Sequence, residues 1–464
     1  MWKNNYSRRE FIKKNSLTGL GAVIALNATT SVLYNCANGA SDPAILGGIP
    51  VRTEPWLSWP VWDMEKDEEQ VMEILRSGRW WRGAGRPSVV DEFEKEWAET
   101  LGVKRSLAVV NGTNSLIISL RMLNVGAGDE VIVTPYTFIA TTHAILETGA
   151  MPVFADVDRE TFQIDPEKIE EKITSRTRAI LPVHILGLPA DMVKIMEIAR
   201  ENDLVVVEDA CQAWMAEINN QKLGTFGNAG CFSFQNSKNL PIGEGGAIVS
   251  NDDDLMDKCH AYHNTGRPVG RMVDLIGGNL ALMGNNLRMT EYQAAIGLAQ
   301  LKRLEQQTET RNRNAAYLKS KISGIPGIIP YKLYPNVTRA AFHLFPFRYQ
   351  QEEFNDLPKE AFLQALRAEG IPASGGYTGL NDKLYLKDAF QSKNYQAMYP
   401  KEMLDFEKYL EENKCPENDR LCSEEAVWFS QNMLLGSTSD MDDIYDAIEK
   451  IHANSGRIKD SRNT

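Results

Sequence analysis

Residues that cross-link chains or bind metals are scarce in this sequence. Its 464 residues include six cysteines, and no two of them form a Cys-x-x-Cys pair. The one close pair, Cys415 and Cys422, has no histidine nearby. This spacing excludes the usual zinc sites and a disulfide framework, so no metal site is expected.

Excess positive charge is also absent. Lysine and arginine number 50 against 62 acidic residues, which gives a formal net charge of -12. The bulk of the chain therefore lacks the basic footprint of a nucleic-acid-binding protein. There are no internal repeats and no low-complexity tracts. The composition is that of a globular protein, and the length allows two or three domains around a sizeable core.

The first forty residues differ from the rest. Arg8 and Arg9 precede a modest apolar run at 17–26, which is too short and too interrupted for a membrane span. This order predicts a twin-arginine export signal over residues 1–40, recognised by the twin-arginine translocation machinery, and a periplasmic or membrane-anchored protein. A disordered basic arm on a cytoplasmic protein is the alternative. Lipidation of Cys36 is a further possibility, although the preceding residues match a lipoprotein box poorly.

Beyond residue 105, short apolar segments alternate with helical patterns. Such alternation predicts a mostly parallel α/β sheet. The predicted strands are 106–110, 131–133, 151–154, 179–183, 204–207, 230–234 and 246–249. The predicted helices between them are 113–123, 141–148, 166–173 and 192–201.

The domain boundaries are predicted from changes in this alternation of strand and helix patterns. Residues 41–80 are predicted to form an arm, rich in tryptophan and proline, that packs against another surface before a helix at 63–77. Residues 81–310 form the predicted large domain, which ends in a helix at 290–306. Residues 311–464 form a predicted small α+β domain, with 400–420 as a surface loop or short helix.

Lys238 stands between the last two predicted strands, just ahead of a Gly-Glu-Gly-Gly turn at 243–246. A lone lysine in a loop is usually a solvated surface charge. The nearby serines and glycines make a polar setting in which backbone can approach a bulky ligand closely. A lysine in such a setting can form a Schiff base with an aldehyde cofactor, provided that the site lowers its pKa.

Asp209 follows the apolar strand at 204–207. A carboxylate at the carboxyl end of a strand lies where open α/β sheets bind ligands. Such a carboxylate can keep a pyridine nitrogen protonated, although a helix N-cap is an equally good interpretation of Asp209 alone. A carboxylate delivered by an apolar strand, followed by Lys238 on a polar loop, suits pyridoxal 5'-phosphate (PLP).

Two further positions suit the same cofactor. Gly112 and Thr113 lie between a predicted strand and helix, where free N–H groups and the helix dipole favour a phosphate. Any strand-to-helix turn shares this feature. Phe138 follows a strand end, where its ring either stacks on a cofactor or packs in the core.

Three motifs in this order resemble those of the DegT/StrS-type (DegT/DnrJ-like) aminotransferases. They are Glu208-Asp-Ala-Cys-Gln-Ala213, Ser233-x-x-x-x-Lys238-Asn-Leu-x-x-Gly-Glu-Gly-Gly and Gly284-Asn-Asn-Leu-Arg-Met-Thr-Glu291. The resemblance runs from about residue 47 to the end. It implies a PLP enzyme of fold type I, the aspartate aminotransferase fold: a large, mostly parallel seven-stranded sheet domain and a small C-terminal α+β domain.

The resemblance also implies roles for residues around the cofactor ring. Lys238 would be the Schiff-base lysine and the acid/base that moves the proton. Asp209 would pair with the pyridine nitrogen. Gln212 would lie near the phenolic oxygen, and Phe138 would stack on the ring.

Other matched positions would hold the phosphate. These are Gly112, Thr113 and Ser233. Asn286 would reach the phosphate of the neighbouring subunit's cofactor, which implies a homodimer with shared sites. His184 matches a frequent family segment, and a structural role is as good an interpretation of it as a functional one.

The resemblance also narrows the substrate. Some relatives replace the lysine by histidine and become dehydratases, so Lys238 favours transamination. Residues 370–379 lack the His-Tyr-x-Pro-x-His-like stretch of many sugar-nucleotide enzymes. With Cys415-Pro and residues 425–428, they are more similar to the branch of glutamine:scyllo-inosose aminotransferases and aminohydroxybenzoate synthases.

The expected reaction moves an amino group from glutamine or glutamate to a keto-sugar or keto-cyclitol. Two alternatives stay open at this point. One is an exported PLP-binding protein without transaminase activity, and the other is a PLP enzyme of dehydration or elimination.

Overall fold

The computed structural model describes residues 42–83, 88–276 and 283–462. The predicted signal segment and Cys36 lie outside these ranges. No helix within them combines the length and the apolar character that crossing a membrane requires.

Strands and helices alternate through the first half of the described chain. The strands are β1 (Arg105–Val109), β2 (Glu130–Val133), β3 (Met151–Phe154), β4 (Val157–Asp158), β5 (Gln163–Ile164), β6 (Thr177–Leu181), β7 (Val205–Asp209), β8 (Glu217–Ile218), β9 (Gln221–Lys222), β10 (Ala229–Ser233), β11 (Gly246–Ser250), β12 (Ile328–Pro330), β13 (Val337–Arg339), β14 (Leu344–Tyr349) and β15 (Ala426–Ser430). The α-helices are α1 (Met64–Ser77), α2 (Val89–Leu101), α3 (Gly112–Met122), α4 (Ala140–Thr148), α5 (Pro166–Glu170), α6 (Met192–Glu201), α7 (Asp253–His263), α8 (Arg271–Ile276), α9 (Glu291–Ile322), α10 (Lys359–Ala368), α11 (Leu384–Gln391), α12 (Lys393–Met398), α13 (Phe406–Glu412), α14 (Pro416–Arg420), α15 (Thr438–Ala453) and α16 (Ser455–Asp460).

A seven-stranded sheet forms the centre of the fold. Its strand order is β1-β11-β10-β7-β6-β2-β3. β11 runs antiparallel to both of its neighbours, and the other neighbouring pairs are parallel. The predicted mostly parallel seven-stranded sheet is therefore confirmed.

Both faces of this sheet are buried, which explains why its strands are apolar at successive positions. Successive side chains of a strand point to opposite faces. One face contributes Ile132, Ile180 and Val206 to a core that also holds Phe93 and Trp97 of α2. The other face contributes Val133, Leu181 and Val207 to a core shared with α3, α4 and the C-terminal region.

Helix α9 is longer than the predicted helix at 290–306. It continues to Ile322, and its buried positions recur every three or four residues: Leu304, Thr308, Arg311, Ala315, Leu318 and Ile322. Thr308 and Arg311 are polar, so they hide the apolar periodicity that signals a helix. The predicted domain boundary at 310 falls inside α9, and the division into domains stays a prediction.

The C-terminal region builds a three-stranded sheet in the order β12-β14-β15. Phe345 and Phe347 of β14 and Phe429 of β15 pack in its core. Residues 400–420, predicted as a loop or short helix, contain α13 and α14.

The arm ahead of α1 crosses from the C-terminal region to the central sheet. The Val51 N–H donates to the Glu369 carboxylate at 2.9 Å. The Trp56 indole donates to the Gly370 carbonyl at 2.9 Å. Further along, the Trp59 indole donates to the carbonyl of Lys238 at 3.1 Å. The arm thus reaches the loop that carries the predicted reactive lysine.

Candidate active site

A cavity of about 480 Å³ opens at the carboxyl ends of β7 and β10. It brings together all but one of the site residues that the sequence predicted. Those lining it are Gly112, Thr113, Phe138, Asp209, Gln212, Ser233 and Lys238. Asn286 is exposed and does not line this cavity.

Lys238 lies on a loop that leaves β10 and returns as β11. The Phe234 N–H donates to the Gly245 carbonyl and the Ile242 N–H donates to the Phe234 carbonyl, both at 2.8 Å, which closes the loop at its base. The Lys238 Nζ lies 5.9 Å from the ring centroid of Trp214.

Burial lowers the pKa of the Lys238 amine, while the nearby Asp209 and Cys211 raise it by less. Removal from water disfavours the ammonium form, so the site increases the neutral fraction of the amine. A neutral amine is the form that attacks an aldehyde and accepts a proton.

Asp209 is the last residue of β7, and its carboxylate is held by two hydrogen bonds. The Thr141 hydroxyl donates to Oδ2 at 2.8 Å, and the Cys211 N–H donates to Oδ1 at 3.1 Å. Both acceptor atoms are therefore fixed beside the cavity. A carboxylate so oriented can pair with a protonated ring nitrogen.

Glu208 and His184 stabilise the carboxyl end of β7 through hydrogen bonds outside the cavity. The buried Glu208 carboxylate accepts N–H groups from the turn at 224–227 and lies 3.1 Å from His184 Nε2. Nδ1 of His184 accepts the Ala190 N–H at 3.2 Å, so Nε2 carries the proton. His184 is fully buried and does not line the cavity, which favours the structural interpretation.

The start of α3 forms an anion cradle. The Asn111 side chain caps the helix by accepting the Asn114 N–H at 2.9 Å. The N–H groups of Gly112 and Thr113 have no hydrogen-bond partner among the described residues. A Cβ on Gly112 would lie 2.8 Å from the Ser233 Cβ, so only glycine fits this close approach. The geometry suits a phosphate at a helix N-terminus.

Phe138 lies at the edge of the cavity with 57% of its surface exposed. A ring this exposed is not part of the core. It is therefore free to contact a flat ligand in the cavity.

Sequence reasoning missed Tyr377 as a site residue. The Gln212 Nε2 donates to the Tyr377 hydroxyl at 2.9 Å, and the Leu186 N–H donates to the Gln212 Oε1 at 2.8 Å. Burial raises the pKa of Tyr377 to about 12, so its hydroxyl stays protonated and can donate to a ligand. Tyr377 belongs to the C-terminal region, and no local pattern in the sequence places it beside Gln212.

His343 also lines the cavity and was not anticipated. The Asn239 Nδ2 donates to the Ala341 carbonyl at 2.9 Å, which identifies Oδ1 as the acceptor for His343 Nδ1 at 3.2 Å. Burial, and then the charges of Lys238 and Arg311, lower the pKa of His343 well below its usual value. The imidazole is therefore neutral, with its proton on Nδ1.

The residues present fit PLP. A lysine with a lowered pKa, a buried carboxylate, a helix N-terminus and an exposed aromatic ring surround one cavity of suitable size. Among the described residues no cluster of His, Cys, Asp or Glu has the geometry of a metal site.

Comparisons with known proteins agree with this geometry. Residues 62–404 match the DegT/DnrJ/EryC1/StrS aminotransferase family. A putative L-glutamine:3-amino-2,3-dideoxy-scyllo-inosose aminotransferase of Streptoalloteichus tenebrarius is 36% identical over 419 residues, which cover 89% of this chain and 98% of that protein. A 3-amino-5-hydroxybenzoate synthase of Amycolatopsis mediterranei is 31% identical over 388 residues, covering 83% of this chain and 94% of that protein.

The fold is shared with solved structures as well. The crystal structure of 3-amino-5-hydroxybenzoic acid synthase aligns with a TM-score of 0.71 at 28% identity, covering 86% of this chain and 99% of that chain. The family match, the nearly full-length alignments and the common fold show that this chain belongs to the DegT/DnrJ/EryC1/StrS family of PLP-dependent aminotransferases.

Proposed function

We propose that this aminotransferase moves an amino group from glutamine or glutamate to a keto-cyclitol or keto-sugar, with Lys238 as the lysine that holds the cofactor. The observation that carries the proposal is the single cavity in which Lys238 and Asp209 lie beside the N-terminus of α3. The names of the relatives support the substrate class, because they specify L-glutamine as donor and a scyllo-inosose as acceptor.

PLP, when bound, supplies an aldehyde for the amino group and a ring that withdraws electrons from the substrate. Asp209, held by Thr141, would keep the ring nitrogen protonated. Lys238 would hold the aldehyde until an amino donor displaces it. The freed Lys238 amine, with its lowered pKa, would then take the proton from the α carbon of the donor and deliver it to the cofactor.

Other cavity residues would bind and orient. The N–H groups of Gly112 and Thr113 and the Ser233 hydroxyl would hold the phosphate. Phe138 would cover one face of the ring. Gln212 would lie near the phenolic oxygen, where its bonds to Leu186 and Tyr377 already fix its amide.

We also propose a homodimer with shared sites, which would give Asn286 a role. This residue is exposed on a segment that pairs with Asn264. Two large apolar side chains close to this segment are exposed. Met283, three residues earlier in the chain, is 81% exposed, and Trp81, which forms a β-bridge with Thr290, is 53% exposed. Removal of these side chains from water would favour association of subunits at this place. Asn286 would reach the phosphate bound by the partner.

Transfer of a labelled amino group tests the reaction itself. The purified protein, loaded with PLP, is incubated with [α-¹⁵N]glutamine and 2-deoxy-scyllo-inosose, and the products are followed by mass spectrometry. We expect an aminocyclitol that carries ¹⁵N, together with the 2-oxo acid of glutamine. Lys238→Ala is expected to give neither product.

The alternatives predict different products in the same experiment. An enzyme of dehydration would release an acceptor that has lost water and carries no label. A binding protein without transaminase activity would leave both substrates unchanged. Either result would reject the proposed transfer to this acceptor.

We further propose that residues 1–40 direct export by the twin-arginine route. The route carries folded proteins, which suits an enzyme that acquires its cofactor in the cytoplasm. Cell fractionation of the full chain is expected to place it outside the cytoplasm, and replacement of both Arg8 and Arg9 by lysine is expected to retain it inside. Equal distribution of the two forms would contradict export by this route.

A further inference from the structure

The backbone of Lys238 is held on both sides. Its N–H donates to the Gln235 carbonyl at 2.9 Å, within the loop. Its carbonyl accepts the indole N–H of Trp59 at 3.1 Å, across 179 residues of sequence. No other residue in the described ranges donates a hydrogen bond to this carbonyl. Trp59 is therefore the one donor to the Lys238 carbonyl in these ranges, while the next residue, Asn239, is held by its side chain to Ala341 and His343.

The Arg311 guanidinium packs against the indole ring of Trp59. Its guanidinium lies 5.4 Å from the ring centroid of Trp59, within the range of a cation–π contact. Arg311 is fully buried, and its Nε and one terminal nitrogen donate to the Gln431 Oε1 at 3.1 and 2.5 Å. A buried guanidinium fixed in this way leaves the indole little freedom to tilt away from the lysine loop.

The arm is clamped on either side of Trp59. Before it, the Leu57 carbonyl accepts from the Asn432 side chain at 2.7 Å. After it, the Val61 carbonyl accepts from Gln300 at 2.9 Å and from Arg303 at 3.0 Å. These contacts fix the position of the segment around Trp59 on both sides.

We infer that Trp59 is a positioning residue for the reaction: through its hydrogen bond to the Lys238 carbonyl it sets the direction in which the lysine side chain enters the cavity. The inference rests on the proposed role of Lys238. Without the bond from Trp59, the peptide between Lys238 and Asn239 would be held only at its two ends, by the Lys238 N–H and the Asn239 side chain. The long lysine side chain would multiply any rotation of this peptide at Nζ. Misplacement of a reacting group by a fraction of an ångström slows a proton transfer without weakening substrate binding.

The chain contains a matched control in Trp56. It lies in the same arm, is half-buried like Trp59, and donates its indole N–H to a backbone carbonyl, that of Gly370, at 2.9 Å. Its ring also carries a cation, the Arg52 guanidinium, at 4.0 Å. Trp56 thus makes the same kinds of contact as Trp59, but to a part of the chain that does not line the cavity.

Trp59→Phe and Trp56→Phe are compared in the full chain with three measurements. The first is amide hydrogen exchange of the loop at 233–246 in protein freed of PLP. The second is the pH titration of the visible absorbance of bound PLP. The third is kcat and KM for the amino donor. Thermal unfolding shows how far each change weakens the fold.

We expect Trp59→Phe to exchange faster in the loop, to shift the midpoint of the titration, and to lower kcat about fivefold with KM within twofold of the parent, as loss of one hydrogen bond implies. Trp56→Phe is expected to match the parent in all three measurements, although both variants unfold at a slightly lower temperature. If the two variants behave alike in all three, Trp59 supports only the fold and the inference is overturned.

A second variant covers the case in which Trp59→Phe does not fold. Benzothienylalanine at position 59 keeps the volume of the indole and replaces its N–H by sulfur, and we expect the same three changes from it. Borohydride reduction of the parent, followed by peptide mapping, separates the two proposals. PLP fixed to another lysine would reject the proposed role of Lys238. PLP fixed to Lys238, with Trp59 variants that match Trp56→Phe, would reject this inference alone.

Discussion

At Asp209, two hydrogen bonds fix the orientation of the carboxylate. The Thr141 hydroxyl and the Cys211 N–H hold both carboxylate oxygens, so the charge is aimed before any ligand arrives. An aimed charge stabilises a protonated ring nitrogen without reorganisation during the reaction. The chemistry proposed for this site therefore depends on Asp209 and, more weakly, on Thr141.

Asp209→Asn is expected to lower kcat by about ten- to a hundredfold, because the neutral amide makes a weaker bond to a protonated nitrogen than a carboxylate does. Thr141→Val removes one supporting hydrogen bond, and we expect a loss of about fivefold. Steady-state kinetics of the PLP-loaded variants give both values. A larger loss in Thr141→Val than in Asp209→Asn would contradict this order of roles.

Single residues also show where prediction from sequence ends. Lys238, Asp209 and Gln212 lie in short segments whose motifs specify them, so the sequence alone pointed to these residues, which line one cavity. Tyr377 and His343 enter the cavity from the C-terminal region, more than 100 residues further along the chain. Their surroundings in sequence carry no sign of the cavity, since only the packing of the two regions brings them there.

At the scale of elements, the start of α3 is shaped by close packing against β10. Gly112 allows this packing, because a Cβ there would lie 2.8 Å from both the Ser233 Cβ and the Cys211 Sγ. The Gly112 and Thr113 N–H groups, proposed to bind phosphate, are set by this contact. Their alignment therefore depends on the absence of a side chain at one position.

Gly112→Ala is expected to weaken PLP binding at least tenfold, because relief of the clash turns the first turn of α3 away from the phosphate position. Titration of the PLP-free protein with PLP, followed by fluorescence, measures the change in Kd. Gly126→Ala is the control, since the nearest atom to its Cβ would be the Thr148 carbonyl oxygen at 3.4 Å. Equal Kd values for the two variants would argue against a phosphate site at α3.

Secondary-structure elements were predicted best where burial alone determines their sequence pattern. The central strands are buried on both faces, so their apolar runs marked them within a few residues. Helix α9 was predicted too short, because Thr308 and Arg311 occupy its buried face and interrupt the apolar period. Arg311 is buried because it supports Trp59 and bonds to Gln431, contacts that only the folded chain supplies.

At the scale of the whole molecule, the proposed homodimer makes each site depend on both chains. Asn286 would serve the partner's site, while Lys238 serves its own. A mixture of Lys238→Ala and Asn286→Ala subunits would therefore contain mixed dimers with one intact site. At a PLP concentration too low to load Asn286→Ala alone, we expect this mixture to recover about a quarter of the parent activity after exchange of subunits at equal amounts, since half of the dimers are mixed and half of their sites intact.

Activity of each variant alone provides the baseline for this measurement. Asn286→Ala alone is expected to need more PLP for saturation. If the mixture shows only the mean of the two separate activities, the sites are not shared.

Acid is expected to destabilise the fold through buried histidines. Burial lowers the pKa of His260 to about 4 and that of His263 to about 2, with nearby positive charges adding to the effect. In the unfolded chain both titrate near pH 6.5. Below that pH the unfolded chain binds more protons than the folded one. Stability is therefore fully present above about pH 6.5 and is lost progressively as the pH falls from there to the folded values, at up to about 1.4 kcal/mol per pH unit for each histidine.

His263→Gln isolates one of these contributions. The His263 Nδ1 lies 2.5 Å from the His260 carbonyl, and its Nε2 lies 3.4 Å from an Arg82 nitrogen, so a glutamine amide can replace both the donor and the acceptor. We expect the variant to lose about 2 kcal/mol less free energy of unfolding than the parent between pH 7.5 and 5, measured with urea. An identical loss in both proteins would show that His263 binds its proton in the folded protein over the same pH range as in the unfolded chain, which would contradict the lowered pKa.

The central claim is that Lys238 is the lysine that holds PLP in this aminotransferase. Borohydride reduction of the PLP-loaded protein, followed by digestion and mass spectrometry, tests it most directly. We predict that the added pyridoxyl phosphate mass lies on the peptide that contains Lys238, and that Lys238→Ala protein gains no such mass. A modified peptide that contains a different lysine, or a Lys238→Ala protein labelled like the parent, would contradict the account.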